Sequence, residues 1–306
     1  MTTAVTLRQL RYLVAVADTL HFGRAAAACH VSQPSLSAQI QQLEAALGAA
    51  LLERTKHRVL LTPEGEDAVR RARAILAQVD DLSQAIQAAG RPLSGALRLG
   101  VIPTIGPYLL PPVLPGLRAA YPELKLYLRE DLTHRLLDRL RAGDLDAAIL
   151  ALPAPEAGLE SQPLYDEPFL VALPPGHRLA ARNALSEADL ADQALLLLED
   201  GHCFRDQALD VCGQAGARDA DGFAATSLAT LVEMVAGRLG LTLLPALSVP
   251  VVAAGGQVKV RPFVEPAPTR RVGLVWRRGA ARERDLRRFA AHLTANLPAG
   301  ALALQS

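Results

Sequence analysis

The stretch FGRAAAACHVSQPSLSAQIQQLEAALG, residues 22–48, predicts two helices joined by a tight turn. The first helix is short and rich in alanine. In the turn, Ser32 can cap the second helix and Pro34 can occupy one of its first positions. Gly48 is a typical helix end. One face of the second helix is apolar, with Leu36, Ile40, Leu43 and Leu47 at helical spacing.

The flanking residues extend this pattern to a winged helix-turn-helix. Residues 7–17 predict a preceding helix capped by Thr6. The segment LLERTKHRVLLT, residues 51–62, predicts a β-hairpin wing with a basic tip. The polar face of the helix after the turn carries Gln33, Ser35, Ser37 and Gln39. Because such short side chains can hydrogen-bond to base edges and phosphates, we predict binding to double-stranded DNA.

Length, charge and composition limit the classes of protein to which the chain can belong. The 306 residues suffice for two or more cores, and a net charge of +1 neither favours nor excludes nucleic acid. The N-terminus lacks the features of a signal peptide, and no apolar run is long enough to span a bilayer. We therefore expect a soluble, cytoplasmic protein without membrane contacts, in a compartment where its three cysteines normally stay reduced.

A long helix is predicted after the wing. About 27 residues follow Pro63 with no further proline and, after Gly65, no glycine until Gly90, which corresponds to about 40 Å of helix. Its apolar stripe is too narrow for a domain core and consists of Ala68, Ile75, Leu82 and Ile86. We therefore expect it to pack against a second copy of the chain, giving a dimer. A hinge with Gly90, Pro92 and Gly95 follows.

The rest of the chain alternates strands and helices, so the overall class is α+β with an α/β module after the linker helix. The predicted strands are ALRLGVI (96–102), LKLYLRE (124–130), DAAILAL (146–152), FLVALPP (169–175), ALLLLED (194–200) and GLTLLPA (240–246). Helical patterns lie between them, in residues 107–121, 133–143 and 227–239, and a last helix is predicted over residues 283–296. Two subdomains are the expected arrangement.

Two cysteines in LEDGHCFRDQALDVC, residues 198–212, have an awkward spacing. If residues 204–211 are helical, Cys203 and Cys212 lie roughly 13 Å apart, whereas a disulfide needs Cα atoms within about 7 Å. An extended chain would separate them further. The pair is therefore either two unrelated thiols or a switch whose oxidation requires this segment to refold.

The segment AAAACHVSQPSLSAQIQQLEAALGAALLERTKHRVLLTPEG, residues 25–65, resembles the DNA-binding end of LysR-type transcriptional regulators. The resemblance implies a recognition helix in the major groove, a wing against phosphates, promoter DNA and RNA polymerase as partners, and a tetramer built from dimers. The implied DNA-contacting residues are Gln33, Pro34, Ser35, Ser37, Gln39, Arg54, Lys56 and Arg58.

The same resemblance implies a periplasmic-binding-protein-like regulatory module. The chain then divides into a DNA-binding domain (1–62), a linker helix with hinge (63–92) and a regulatory domain (93–306). Within the last, subdomain I comprises about 93–166 and 269–306, and subdomain II about 167–268. The crossovers are expected at 164–168 and 266–270.

Residues 198–212, together with GVIPTIGPYLLP, THRLLDRL and ATSLATL, resemble the peroxide-sensing branch of that family. The resemblance implies an activator of antioxidant genes that needs no cofactor or metal. It also implies that Cys203 reacts with hydrogen peroxide and that Cys212 is the resolving thiol, which forms a disulfide with the oxidised Cys203. A glutaredoxin or thioredoxin system is then expected to reduce the disulfide. The implied peroxide pocket consists of Thr104, Thr133, His202, Arg205, Asp206 and Arg270. If Asp200 caps a helix, Cys203 lies in its first turn, where an anion is favoured.

Other hypotheses remain open at this point. A LysR-type regulator with a small effector in the inter-subdomain cleft would not depend on thiols, and a thiol peroxidase would have no use for the DNA-binding end. Metal binding by His202, Cys203 and Cys212 matches no common spacing. Arg270 also fits a surface ion pair, and Cys29, among small apolar residues, fits a packing role.

Overall fold

The structure, a computed structural model, describes residues 5–54, 59–87, 92–154, 157–213 and 218–304. It forms two compact units: one takes in the chain up to Gln87 together with Arg141–Asp144, and the other comprises the remainder. No helix in these described ranges is long and apolar enough to cross a membrane.

The first unit begins with the predicted helices α1 (Leu7–Thr19), α2 (Phe22–Ala28) and α3 (Gln33–Leu47). Thr6 and Gln9 form a reciprocal capping box on α1, and Ser32 caps α3. The apolar faces of α1 and α3 meet in one core that contains Leu13, Val16, Leu36, Ile40 and Leu43. Leu47, predicted to continue this stripe, is 47% exposed because α3 ends there at Gly48.

The wing is the antiparallel pair β1 (Leu52–Arg54) and β2 (Val59–Leu61). The Glu44 carboxylate on α3 accepts hydrogen bonds from the backbone N–H groups of Leu51 and Leu52, at 2.9 and 3.2 Å. These bonds fix the wing to α3. The wing tip, residues 55–58, lies outside the described residues, and with it the predicted DNA contacts Lys56 and Arg58.

The long helix α4 spans Pro63–Gln87, 25 residues or about 37 Å. Thr62 starts it, because its hydroxyl accepts from the Gly65 N–H at 2.9 Å. Gly65 is required here, since a Cβ at this position would lie 2.0 Å from the Leu51 carbonyl oxygen. The TPEG segment therefore packs the start of α4 directly on the wing.

The second unit contains the remaining strands. They are β3 (Gly95–Val101), β4 (Leu124–Glu130), β5 (Ala147–Leu152), β6 (Leu159–Leu173), β7 (Ala194–Leu198), β8 (Arg218–Ala225), β9 (Thr242–Pro245), β10 (Lys259–Pro262) and β11 (Thr269–Arg277). The main sheet has the order β10-β6-β11-β5-β3-β4, with β9 also paired to β6. Strands β7 and β8 form a parallel pair.

The helices of this unit are α5 (Gly106–Ala120), α6 (Thr133–Ala142), α7 (Cys203–Gly213), α8 (Leu228–Ala236), the short α9 (Val249–Val252) and α10 (Glu283–Ala295). The predicted helices at 107–121, 133–143, 227–239 and 283–296 are confirmed as α5, α6, α8 and α10. Helix α5 forms although Pro111, Pro112 and Pro115 lie inside it. All three prolines are exposed, and a proline inside a helix leaves the carbonyl four residues earlier without its N–H partner.

Strand β6 differs most from the sequence prediction. Only residues 169–175 were expected to be extended, whereas β6 begins at Leu159 and contains Pro163 and Pro168. It pairs with β11 as far as Pro168 and with β9 and β10 from Phe169 onward. This change of partners lies at the end of the first predicted crossover. Glu167 and Arg270 are opposite one another in this register.

Candidate functional site

Cys203 is the first residue of α7 and is half-buried. Gly201, two residues before Cys203, has a φ of +93°, in the left-handed region that favours glycine. The helix begins too late for Asp200 to be its cap, so that prediction was wrong. The Asp200 carboxylate instead pairs with the Arg205 guanidinium, at 2.9 Å. The thiol still lies in the first turn, where unpaired backbone N–H groups favour an anion.

Cys203 borders a small cavity in the second unit. Its wall includes Thr104, Thr133, His202 and Phe204 in addition to the cysteine. The cavity measures about 10 Å³, about the least volume that can hold one water molecule. Pockets for larger organic ligands typically measure about 300–1,000 Å³. The space beside Cys203 therefore suits a ligand of very few atoms.

Two polar atoms near Cys203 lack a hydrogen-bond partner within the part of the chain that the structure describes. They are the buried Thr133 Oγ1 on the cavity wall and the buried Oε1 of Gln207, one helical turn after Cys203 on α7. Buried polar atoms are normally paired, since leaving one unpaired costs about 1–3 kcal/mol. The Thr133 hydroxyl is therefore available to a small polar ligand in the cavity, whereas Gln207 does not line it. Gln207 was not predicted as a site residue from the sequence.

Arg270 is buried, and the alternative of a surface ion pair was wrong. Its guanidinium donates to the Thr104 hydroxyl at 2.9 Å and to the Thr104 carbonyl at 2.8 Å. It also pairs with Glu167 at 2.8 Å and lies over the Phe204 ring, 5.8 Å from its centroid. Arg270 therefore stands behind Thr104 and does not itself line the cavity.

Of the three remaining predicted pocket residues, one lines the cavity and two do not. His202 lines the cavity, and burial lowers the pKa of its imidazole, partly opposed by Glu199. It is therefore a neutral hydrogen-bonding group near neutral pH. Arg205 and Asp206 do not line the cavity, because the turn of α7 directs them away from it. Arg205 reaches the Leu198 carbonyl at 3.3 Å, and Asp206 is exposed.

Cys212 lies near the other end of α7 and is fully buried in the hydrophobic core. Burial, with a smaller contribution from Glu187, raises the pKa of its thiol to about 12. In this conformation it is therefore protonated and unreactive. Cys203 and Cys212 occupy opposite ends of the helix and cannot share a metal ion. No group of three His, Cys, Asp or Glu side chains among the described residues is placed to hold one.

Cys29, the first cysteine of the chain, lies directly after α2. It is half-buried against the core of the first unit, and burial raises its pKa. Both observations agree with the predicted packing role.

The predicted DNA-contacting residues of α3 occupy its N-terminal part. Gln33, Pro34 and Ser35 are exposed in the first turn, and Ser37 and Gln39 are half-buried. The Gln39 amide donates to the Gln42 side chain at 3.1 Å. Arg54 is the last residue of β1.

The predicted apolar stripe of α4 is open to solvent in a single chain except at Ala68, which packs against the core of the first unit. Ile75, Leu82 and Ile86 are 42%, 59% and 68% exposed. Large aliphatic side chains repeated along one helix are typical of a surface that packs against another helix.

Comparisons with known families agree with this organisation. The family model described as "Bacterial regulatory helix-turn-helix protein, lysR family" matches residues 7–66. The model described as "LysR substrate binding domain" matches residues 90–298. One model therefore matches most of the first unit, and the other matches nearly all of the second.

Individual relatives extend the similarity. The chain is 48% identical over 276 residues to the DNA-binding transcriptional dual regulator OxyR of Escherichia coli strain K12, covering 90% of each protein. Full-length OxyR from Pseudomonas aeruginosa, solved with one cysteine replaced by aspartate, is 41% identical with a TM-score of 0.80, covering 97% of this chain and 100% of that one. A Corynebacterium glutamicum OxyR mutant with bound hydrogen peroxide is 36% identical with a TM-score of 0.67, covering 97% and 94%.

Proposed function

The chain belongs to the LysR family of transcriptional regulators, in its OxyR branch, and we propose that it senses hydrogen peroxide by oxidation of Cys203 and reversible disulfide formation with Cys212. One observation supports this most. Cys203 begins α7 beside a cavity of about 10 Å³, while Cys212 is buried near the end of the same helix. A reactive thiol and a protected partner are thereby kept apart until the first has reacted.

In the first step the Cys203 thiolate attacks one oxygen of hydrogen peroxide. An S–O bond forms as the O–O bond breaks, so that Cys203 becomes a sulfenic acid and the other oxygen leaves as hydroxide. The hydroxide takes up a proton to become water. Backbone N–H groups of α7 favour the thiolate, and the hydroxyls of Thr104 and Thr133 orient the peroxide.

In the second step the Cys212 thiol attacks the sulfenic acid. The S–S bond forms as the S–O bond of Cys203 breaks. The leaving hydroxyl takes the proton of the Cys212 thiol and departs as water. Because Cys212 is buried and protonated in the reduced fold, α7 must unwind for it to react. A thiol reductant of the glutaredoxin or thioredoxin class then restores both thiols.

Helix α7 is the switch element, and the dimer transmits its change of conformation to the DNA-binding domains. Two chains associate through α4, two dimers form a tetramer, and each dimer presents two α3 helices to promoter half-sites. Rearranged subdomain surfaces alter the spacing of those helices and the contact with RNA polymerase. Antioxidant genes are activated as a result.

The relatives are regulators rather than enzymes, which disfavours a thiol peroxidase. A small organic effector beside Cys203 is disfavoured by the size of the cavity.

The test is peroxide-dependent footprinting. DNA fragments bound by the reduced protein are selected from a random pool and footprinted before and after one equivalent of hydrogen peroxide. We expect the footprint to change for wild type and for the control Cys29→Ser, and to stay in its reduced form for Cys203→Ser. A footprint that still shifts in Cys203→Ser would favour an effector-binding regulator instead.

A further inference from the structure

A buried carboxylate stands behind the cavity wall. Glu167 on β6 is opposite Arg270 on β11, and both side chains are only 1% exposed. Buried charges are rare unless each is paired and hydrogen-bonded, because removing a charge from water is costly. A charged pair retained at this depth therefore calls for a reason beyond stability.

Both oxygens of the Glu167 carboxylate are in use. Oε2 accepts a hydrogen bond from Arg270 Nε at 2.9 Å, and Arg270 Nη2 lies 2.8 Å from the same oxygen. Oε1 accepts from the backbone N–H of Leu247 at 2.8 Å, in the short 3₁₀ helix Ala246–Ser248 that follows β9. The carboxylate therefore cannot rotate without losing a bond, and it holds the guanidinium in one orientation.

Arg270 transfers this orientation to Thr104. Its Nη1 donates to Thr104 Oγ1 at 2.9 Å, and its Nη2 donates to the Thr104 carbonyl oxygen at 2.8 Å. A guanidinium only donates, so Thr104 Oγ1 is the acceptor in this bond. The hydroxyl proton of Thr104 is therefore left for another acceptor, and Thr104 borders the cavity beside Cys203.

We infer that Glu167 is a positioning residue for the reaction with peroxide: through Arg270 it fixes Thr104 as a hydrogen-bond donor to the departing oxygen. The inference rests on the proposed function. Donors set in place before reaction stabilise the charge that develops on a leaving oxygen. The cationic partner also polarises the Thr104 hydroxyl and strengthens its donation.

Glu167→Gln is the informative variant. It keeps the shape of the side chain, but Arg270 and Leu247 donate to different oxygens of the carboxylate, and an amide has only one oxygen, so one of the two donors loses its acceptor. Removing a donor to a developing oxyanion typically costs about 10²–10³ in rate, and we expect this indirect change to slow oxidation of Cys203 by about tenfold or more. The rate is measured by quenching with a thiol reagent after mixing with hydrogen peroxide.

Alkylation of Cys203 by iodoacetamide separates positioning from a merely structural role. That reaction expels iodide and needs no donor for a departing oxygen, so its rate across pH should stay at the wild-type value. Asp166→Asn is the matched control, because Asp166 is the adjacent carboxylate on β6 and pairs with the exposed Arg271. It should leave both rates unchanged.

A double-mutant cycle tests the route through Thr104. In a Thr104→Val background, Glu167→Gln should cause no further loss of peroxide reactivity. If Glu167→Gln fails to fold, Glu167→Asp keeps the charge but is too short to reach both partners, and it decides the matter by the same measurements.

The inference is overturned if the folded Glu167 variants react with peroxide like wild type, or if alkylation slows as much as oxidation. It is also overturned if the two substitutions act additively. A wild-type protein whose Cys203 does not react with peroxide at all would instead remove the proposed function, and this inference with it.

Discussion

Cys203 and Cys212 are the first and the next-to-last residues of one helix, α7, with the first thiol beside a cavity and the second in the core. At about 1.5 Å per residue their Cα atoms are roughly 13 Å apart, and a disulfide needs them within about 7 Å. The folded α7 and a Cys203–Cys212 disulfide therefore exclude each other. Oxidation of the pair must change the fold of the second unit.

The buried thiol of Cys212 gives the reduced protein a pH-dependent stability. Its pKa is raised by burial from an ordinary value of 9.0 to about 12, so the folded state holds this proton more tightly than the unfolded state. The resulting stabilisation is complete below about pH 9 and is lost as pH rises toward 12, by at most about 1.4 kcal/mol per unit.

Urea unfolding with reductant at pH 8, 9 and 10 measures this contribution. The free energy of unfolding should fall more steeply from pH 9 to 10 for wild type than for Cys212→Ala. The range stops at pH 10 because burial also raises the pKa of Tyr108 from 10.0 to about 12, and its contribution is lost only above that range. Equal slopes for the two proteins would show that Cys212 is not buried as described.

Thr133→Val should separate stability from sensing. The Thr133 hydroxyl is buried with no partner among the described residues, so replacing it by a methyl group should leave the free energy of unfolding unchanged or raise it by about 1 kcal/mol. Oxidation of Cys203 by hydrogen peroxide should become at least several-fold slower.

Thr294→Val on α10 is the control, because its hydroxyl bonds only its own helix at Ala290 O in the described structure. It should leave the oxidation rate at the wild-type value. Full peroxide reactivity in Thr133→Val would exclude that hydroxyl from the pocket.

Leu82→Glu tests the role of α4 in association. Leu82 is 59% exposed in the single chain, and burial of a leucine contributes about 1.5–3 kcal/mol. Because a symmetric interface contains the substitution twice, Leu82→Glu should raise the dissociation constant of the dimer by at least about 10²-fold. Analytical ultracentrifugation measures this constant. Leu239→Glu, at an exposed leucine outside α4, should leave the dimer intact. An unchanged dimer in Leu82→Glu would place the interface elsewhere.

Gln33→Ala tests base recognition by α3. Gln33 is exposed in the first turn, and a side-chain amide can bind an adenine edge bidentately. Its loss should weaken binding to a selected operator by about 1–3 kcal/mol while leaving binding to random DNA unchanged at the same salt concentration. Gln41→Ala, at an exposed glutamine two turns further along α3, is the control. Equal losses on both DNAs would indicate a phosphate contact instead.

The helical elements were predictable because their signals are local. Thr6, Ser32 and Gly48 act within a few residues of the helix ends they define, and the structure has them as predicted. Strand β8, with the sequence RDADGFAA, was missed because it lacks alternation and contains residues that are rare in strands. The first half of β6 was not predicted, and it contains Pro163 and Pro168, a residue type that is rare inside strands.

The cavity residues were predictable only through resemblance, and their roles needed the register of distant strands. Glu167 and Arg270 are 103 residues apart and meet because β6 and β11 pair in one particular register. No periodicity in the sequence encodes that pairing. The available signal was weak: the two predicted crossovers, 164–168 and 266–270, carry side chains of opposite charge.

The most direct test of the switch is the connectivity of the thiols after reaction with one equivalent of hydrogen peroxide, read by alkylation and peptide mass mapping. We predict a Cys203–Cys212 crosslink that dithiothreitol reverses and that Cys203→Ser abolishes, with Cys29 still free. A Cys203 that remains fully alkylatable would contradict peroxide sensing. Oxidation of Cys203 without a bond to Cys212 would contradict the refolding of α7.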